Sequence, residues 1–262
     1  MQQQLYFALG DGDVGRVCVL APCAAAGALA QAAPTRTLHF DLTALPVTRD
    51  SFVFKLGGLV RGFAIWQYEL RTEGMRQEVI YSAFSEFEPI EDEDLRVVLD
   101  RATGVPVSSF HHVELFAVHS DTLMVEHDLR LAGDRVSGRR RVAYKDGKVD
   151  TVAVDCAVPP GVVWANYELY AAAVTNVGPG DSLVAPAYAE FGDSVKALAM
   201  VGEAPTTIEV PAGKFAVLPL RSGDFRLYVT RVAPRRVIKG ETLDGQFSFE
   251  FAGATPIVPS GP

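Results

Sequence analysis

Runs of about 6 to 12 residues rich in Phe, Tyr, Val and Ile, each bounded by glycine or Asp-Gly turns, recur along most of this chain and commit it to antiparallel strands. Ser51 to Leu56 alternates around Phe52 and Phe54, Gly57-Gly58 turns the chain, and Leu59 to Leu70 continues with Phe63, Ile65 and Trp66. Glu73-Gly74 marks the next turn, before Met75 to Phe87 with Val79, Ile80, Tyr81 and Phe84. Asp100 to Gly104 reads as a turn, Val105 to His119 as a strand, and Ser120-Asp121 as a two-residue reversal into Thr122 to Leu131. Ala132-Gly133-Asp134 reverses the chain again into Val136 to Tyr144. Asp146-Gly147 tolerates the positive φ of a type I′ turn, which would set Lys145 opposite Lys148 and Tyr144 opposite Val149. The returning strand ends near Asp155.

Two segments break this pattern. Glu88-Pro89-Ile90-Glu91-Asp92-Glu93-Asp94 carries like charges that repel when packed, so it reads as a solvated loop; it lacks the glycine and ligand spacing of a calcium loop. Residues 163 to 175 place Trp164, Tyr167, Ala171 and Val174 on one stripe and predict a helix, stopped by Gly178-Pro179-Gly180, with a strand over Val162 to Leu169 as the alternative.

Strand patterning then resumes over Ser182 to Pro186, Val195 to Val201, Thr206 to Val210, Phe215 to Leu220, Phe225 to Val229 and Arg235 to Ile238. In the last strand, Phe247 to Phe251, alternation puts Phe247, Phe249 and Phe251 on one face to be buried. Residues 255 to 262 read as a loose tail. A dozen or so strands in one sheet must curl, close or fold onto a second sheet. The expected fold is therefore mainly β: a strongly curved antiparallel sheet or unclosed β-barrel with one helix near residues 163–175, a sandwich meeting the same need. The 262 residues suffice for one large domain, taken as residues 34–254.

The first thirty residues differ from the rest. Val17 to Ala30 is an alanine-rich apolar run behind Arg16, and Ala28-Leu29-Ala30 and Ala30-Gln31-Ala32 both fit a small-x-small cleavage pattern. Residues 1–33 thus read as a signal peptide and predict export to the periplasm or cell envelope. Asp11 and Asp13 sit where such a signal should be basic, so a mis-assigned leader with a true start near Val14 or Val17 is the second reading. A cytoplasmic protein with an alanine-rich N-terminal helix is the third. Leu20-Ala21-Pro22-Cys23 is a poor match to a lipoprotein processing site, and the run is too short for a membrane span.

Charge narrows the partners. With 24 Lys and Arg against 32 Asp and Glu, the net charge of -8 disfavours nucleic acid. Arg139-Arg140-Arg141 and Arg235-Arg236 lie in strand-like segments whose neighbouring residues point to opposite faces. Cys18 and Cys23 fall in the leader, leaving Cys156 as a buried thiol. Nothing fixes the oligomeric state.

Five segments resemble an uncharacterised family of exported bacterial β-rich proteins, whose fold is similar to the unclosed β-barrel of the periplasmic lipoprotein carriers. They are Asp50 to Gly62 (DSFVFKLGGLVRG), Leu99 to Ser108 (LDRATGVPVS), Pro179 to Pro186 (PGDSLVAP), Glu209 to Phe215 (EVPAGKF) and Tyr228 to Lys239 (YVTRVAPRRVIK). The resemblance implies export and a concave apolar surface. It supplies no catalytic residues.

Chemistry-bearing residues are few. Across a Ser120-Asp121 turn, His127 would sit opposite Glu114, on a face shared with Phe110, His112, Phe116, Val118, Leu123, Val125 and Leu129. A carboxylate-oriented histidine is how a general base is held, which makes His127, Glu114 and His112 the candidate catalytic residues. His111 and His119 are eight residues apart, roughly 26 Å along a strand, too far to share a metal, so no metal site is expected. Gly10, Gly12 and Gly15 form G-x-G-x-x-G without a β-α-β unit, and no G-x-S-x-G occurs, so no cofactor is expected. The leading functional expectation is a noncatalytic envelope protein holding a lipid or other apolar ligand on a concave β surface. The alternatives are a structural or protein-interaction domain of the envelope and a hydrolase using the histidine-carboxylate pair.

Overall fold

The computed structural model describes residues 40–116, 121–165 and 171–257. Sixteen strands build one sheet: β1 Thr48–Leu56, β2 Leu59–Glu73, β3 Arg76–Phe87, β4 Glu91–Asp100, β5 Pro106–Leu115, β6 Thr122–Ala132, β7 Arg135–Tyr144, β8 Val149–Ala157, β9 Val163–Trp164, β10 Ser182–Ala189, β11 Ser194–Gly202, β12 Thr206–Val210, β13 Gly213–Ser222, β14 Phe225–Val229, β15 Val237–Thr242 and β16 Phe247–Pro256. Their spatial order is β8-β7-β6-β5-β4-β3-β2-β1-β16-β15-β14-β13-β11-β10-β9, with β12 attached to β13. All pairings are antiparallel except β9 with β10, and the edges β8 and β9 do not pair with each other, so the sheet is unclosed. The expectation of a mainly β, unclosed antiparallel sheet is met.

Tight turns make the meander from β1 to β8. Gly57 and Gly58, at φ 56° and 80°, supply the two positive-φ positions of a type I′ turn that pairs Leu56 with Leu59. The Asp146-Gly147 turn is present but one residue longer than expected: the Tyr144 amide donates to the Lys148 carbonyl at 2.9 Å, and Ala143 pairs with Val149. Bulges at Ser51/Phe52, Phe54/Lys55 and Val98/Leu99 add the local twist that bends so wide a sheet.

Alternation sends one side chain in two to the concave side. Phe52, Trp66, Tyr81, Phe87, Phe247, Phe249 and Phe251 are buried there, as alternation predicts for the last three. The rings pack edge-on or tilted: Phe52 lies 4.2 Å from Trp66 and 5.7 Å from Phe249 between centroids, and Phe54 lies 5.4 Å from Phe87. Gly240 makes room for this cluster, since a methyl group there would run into the rings of Phe249 and Phe225.

Two expectations hold only in part. Of the acidic stretch, Glu88 to Ile90 form the turn between β3 and β4, but Glu91 to Asp94 begin β4 and pair with β3 and β5, because Glu93 alternates in phase with Leu95, Val97 and Leu99 and finds a buried partner in His111. The helix expected near residues 163–175 does not extend to either end of that range. Val163 and Trp164 are the short strand β9, Ala172–Val174 is a 3₁₀ turn, and residues 166–170 lie outside those described; no helix of seven or more residues occurs among the described residues. Buried Trp164 and Val163 obtain ladder partners from Tyr188 and Ala187, which the strand alternative provides and the helix does not. Strand β16 also runs two residues into the expected tail, reaching Pro256 opposite Thr48. The leader and residues 258–262 lie outside the described residues.

The curvature brings the β10 end of the sheet onto the concave side of β5–β8 without strand pairing. Thr175 bridges to Phe40, the Asp41 amide donates to the Val174 carbonyl, and Leu42 and Ala44 are buried beside them. No helix of the described residues is long and apolar enough to cross a membrane.

Candidate functional site

Strands β4 to β7 present two different chemistries on their two faces. On the concave side, β5 contributes Ser109 and His111, β6 His127 and β7 Arg140, all buried. His111 and His127 are direct cross-strand partners, and Arg140 pairs with His127 on its other side, so three basic side chains form a row. From the opposite end of the sheet the four residues Glu190 to Asp193, joining β10 to β11, lie against that row. Arg140 Nη1 is 2.8 Å from Asp193 Oδ2, and it donates to the Phe191 carbonyl at 3.4 Å. Ser109 donates its hydroxyl proton to Glu190. Tyr188 donates to Asp193 Oδ1 at 2.9 Å. Asp193 takes positive φ, 43°, a conformation Asp tolerates better than most residues.

Electrostatics divides the two histidines. His111 Nε2 lies 2.6 Å from Glu93 Oε1. Burial on its own would lower the His111 pKa, but the Glu93 hydrogen bond and charge, with Glu190 and Asp94 behind, outweigh it and hold the ring above the ordinary histidine range. His127 is pushed well below that range by burial, then by the positive charge of His111 and Arg140. Burial also raises Glu190, against the pull of His111 and the Ser109 hydrogen bond.

On the convex side the register aligns Phe63 with Glu86, Asp92 and Glu114, and Ile65 with Phe84, Asp94, His112 and Glu126. The Phe63 and Phe84 rings are 6.1 Å apart, and these residues are 38% and 43% exposed. Burial, then the like charges of Glu114 and Glu88, raise Asp92 above the usual carboxylate range. His112 lies 3.2 Å from Glu126 through Nδ1 and 3.6 Å from Glu114 through Nε2.

The candidate catalytic residues are thus separated by the sheet. Glu114 pairs with Met124, not His127, and His112 and Glu114 face outward while His127 faces in. The link between β5 and β6 is longer than a two-residue turn, which shifts the register by three; part of it, with His119, lies outside the described residues. Ser109, His111, Glu93, Arg140 and Glu190 escaped sequence reasoning, although the in-phase alternation of Glu93 with Leu95 and Val97 was a visible signal. Cys156, read as a buried residue, is buried at the end of β8. Among the described residues no group of three His, Cys, Asp or Glu side chains is placed to hold a metal. An open depression of about 650 Å³ lined by Met75, Arg76, Gln77, Asp100, Arg101 and Ala102 lies on the hairpin tips, away from both faces described here.

Compared with known proteins, the chain matches no family model, no curated protein and no solved structure.

Proposed function

We propose that this chain is a noncatalytic protein of the cell envelope that engages a cationic, apolar segment of a partner protein through the convex face of β2–β5. The supporting observation is the exposed Phe63–Phe84 pair, set beside Glu86, Asp92, Asp94 and Glu114. Exposed aromatic surface next to strand-face carboxylates favours a ligand with both apolar and basic groups. Placement in the envelope rests on the apolar leader run of the sequence.

The apolar-ligand reading has less behind it, because the concave rings spend their surface on one another. A hydrolase built from His127, Glu114 and His112 has no support in a geometry that divides them between two faces.

The test immobilises the full chain and presents it with solubilised envelope fractions. A basic protein retained by the wild type, and lost both with Phe63→Ser/Phe84→Ser and with Glu86→Gln/Asp94→Asn, is the expected result. Retention unaffected by either pair, or no specific retention, overturns the proposal.

A further inference from the structure

The loop Glu190 to Asp193 closes over a buried base that has no hydrogen-bond partner among the described residues. Neither ring nitrogen of His127 has a hydrogen-bond partner among the described residues, and the side chain is fully buried. Its cross-strand neighbours are both basic, His111 on β5 and Arg140 on β7. Edge-on above it lies Phe191, whose ring centroid is 4.7 Å from that of His127 and 4.9 Å from that of His111.

The charged groups around His127 are already committed. Glu93 of β4 holds His111, Asp193 holds Arg140 and accepts from Tyr188, and Glu190 accepts from Ser109. A proton on His127 would therefore place a third cation between two others, in a site sealed from water, with no carboxylate among the described residues left to meet it.

We propose that the β10–β11 loop is an acid-released latch, in which protonation of His127 drives Phe191 off the row of basic residues and frees residues 190–193 from the concave face of β5–β7. The sign follows from linkage. With His127 held well below its ordinary range when the loop is closed, the closed state binds fewer protons than the open one. Closure is then at full strength above about pH 6.5, the free histidine value, and weakens as pH falls below it. His111, raised in the closed state, is protonated in both states below that pH and adds no slope there. Glu190, also raised by burial, takes up a proton in the closed state and opposes release, which makes the fall less steep than His127 alone would give.

The experiment is hydrogen exchange of the full chain between pH 7.5 and 5, corrected for intrinsic rates and read by mass spectrometry over residues 187–194 and, as reference, over β2 and β3. In the wild type, protection of the loop should fall by up to about tenfold per pH unit below pH 6.5 while the reference is unchanged. In His127→Gln and His127→Phe, of which either folded variant suffices, the loop profile should be flat. A flat wild-type profile, a reference that falls in parallel with the loop, or an undiminished slope in the variants overturns the proposal.

Discussion

His111 and Glu93 meet at 2.6 Å inside the curved sheet, one ring from His127, which faces His111 across the β5–β6 ladder and has no carboxylate of its own among the described residues. Two like residues on adjacent strands thus have opposite protonation behaviour. Glu93 also accepts from Ser85 at 3.5 Å, so it joins β3, β4 and β5 through side chains as well as backbone.

Glu93→Gln should remove the charge that raises the His111 pKa and cost about 2–4 kcal/mol in urea unfolding near neutral pH. The raised His111 contributes stability that is complete below about pH 6.5 and lost as pH rises through its folded value, and the variant should lose that dependence. Imidazole titration by NMR should show the His111 pKa falling. An unshifted titration would contradict the pairing.

Arg236 approaches Asp50 Oδ2 at 3.0 Å through Nε and donates to Thr48 through Nη2 at 3.0 Å. Asp50 is buried, and desolvation raises its pKa despite Thr48 and Arg236. Arg236→Gln should leave that carboxylate unneutralised and destabilise by about 2–3 kcal/mol at pH 7. The loss should shrink at acid pH, where Asp50 is protonated. Denaturant midpoints at pH 4 and pH 7 decide this.

On the convex side Lys55, Glu250, Lys239 and Glu241 alternate in charge across β1, β16 and β15, with Lys55 2.6 Å from Glu250 and Lys239 2.7 Å from Glu241. Partial exposure makes these contacts weak. Lys55→Ala should cost less than about 1 kcal/mol, and less still in 1 M salt. Thermal unfolding at two ionic strengths measures it.

Gly240→Ala tests the aromatic cluster. The new methyl group must displace Phe249 or Phe225, and such overpacking should cost about 1–3 kcal/mol, seen as an earlier urea midpoint with altered near-ultraviolet dichroism.

What could be read from the chain was local. Glycine pairs such as Gly57-Gly58 and the Phe247, Phe249, Phe251 alternation follow from φ preferences and period two, and both hold in the structure. Register across longer links was not legible: one extra residue at Asp146-Gly147 and several between β5 and β6 exchanged the partners of Tyr144 and His127. Glu93 was misread because its like-charged neighbours are adjacent in sequence, whereas its counter-charge His111 lies on the next strand. The apolar stripe at Trp164 suits a helix as well as a buried segment, and only contact with Tyr188, distant in sequence, distinguishes them. The inward meeting of Arg140 with Asp193 depends on sheet curvature, which no local pattern encodes.

The pairing of β1 with β16, Thr48 opposite Pro256, also sets a timetable. Strands β2 to β8 can zip one after another as they leave the ribosome, each beside its predecessor. The first strand must wait with one edge bare until the last has emerged. A chain cut short before Phe247 would keep Phe52 and Phe54 on that open edge, so premature termination should yield aggregates rather than a smaller folded product.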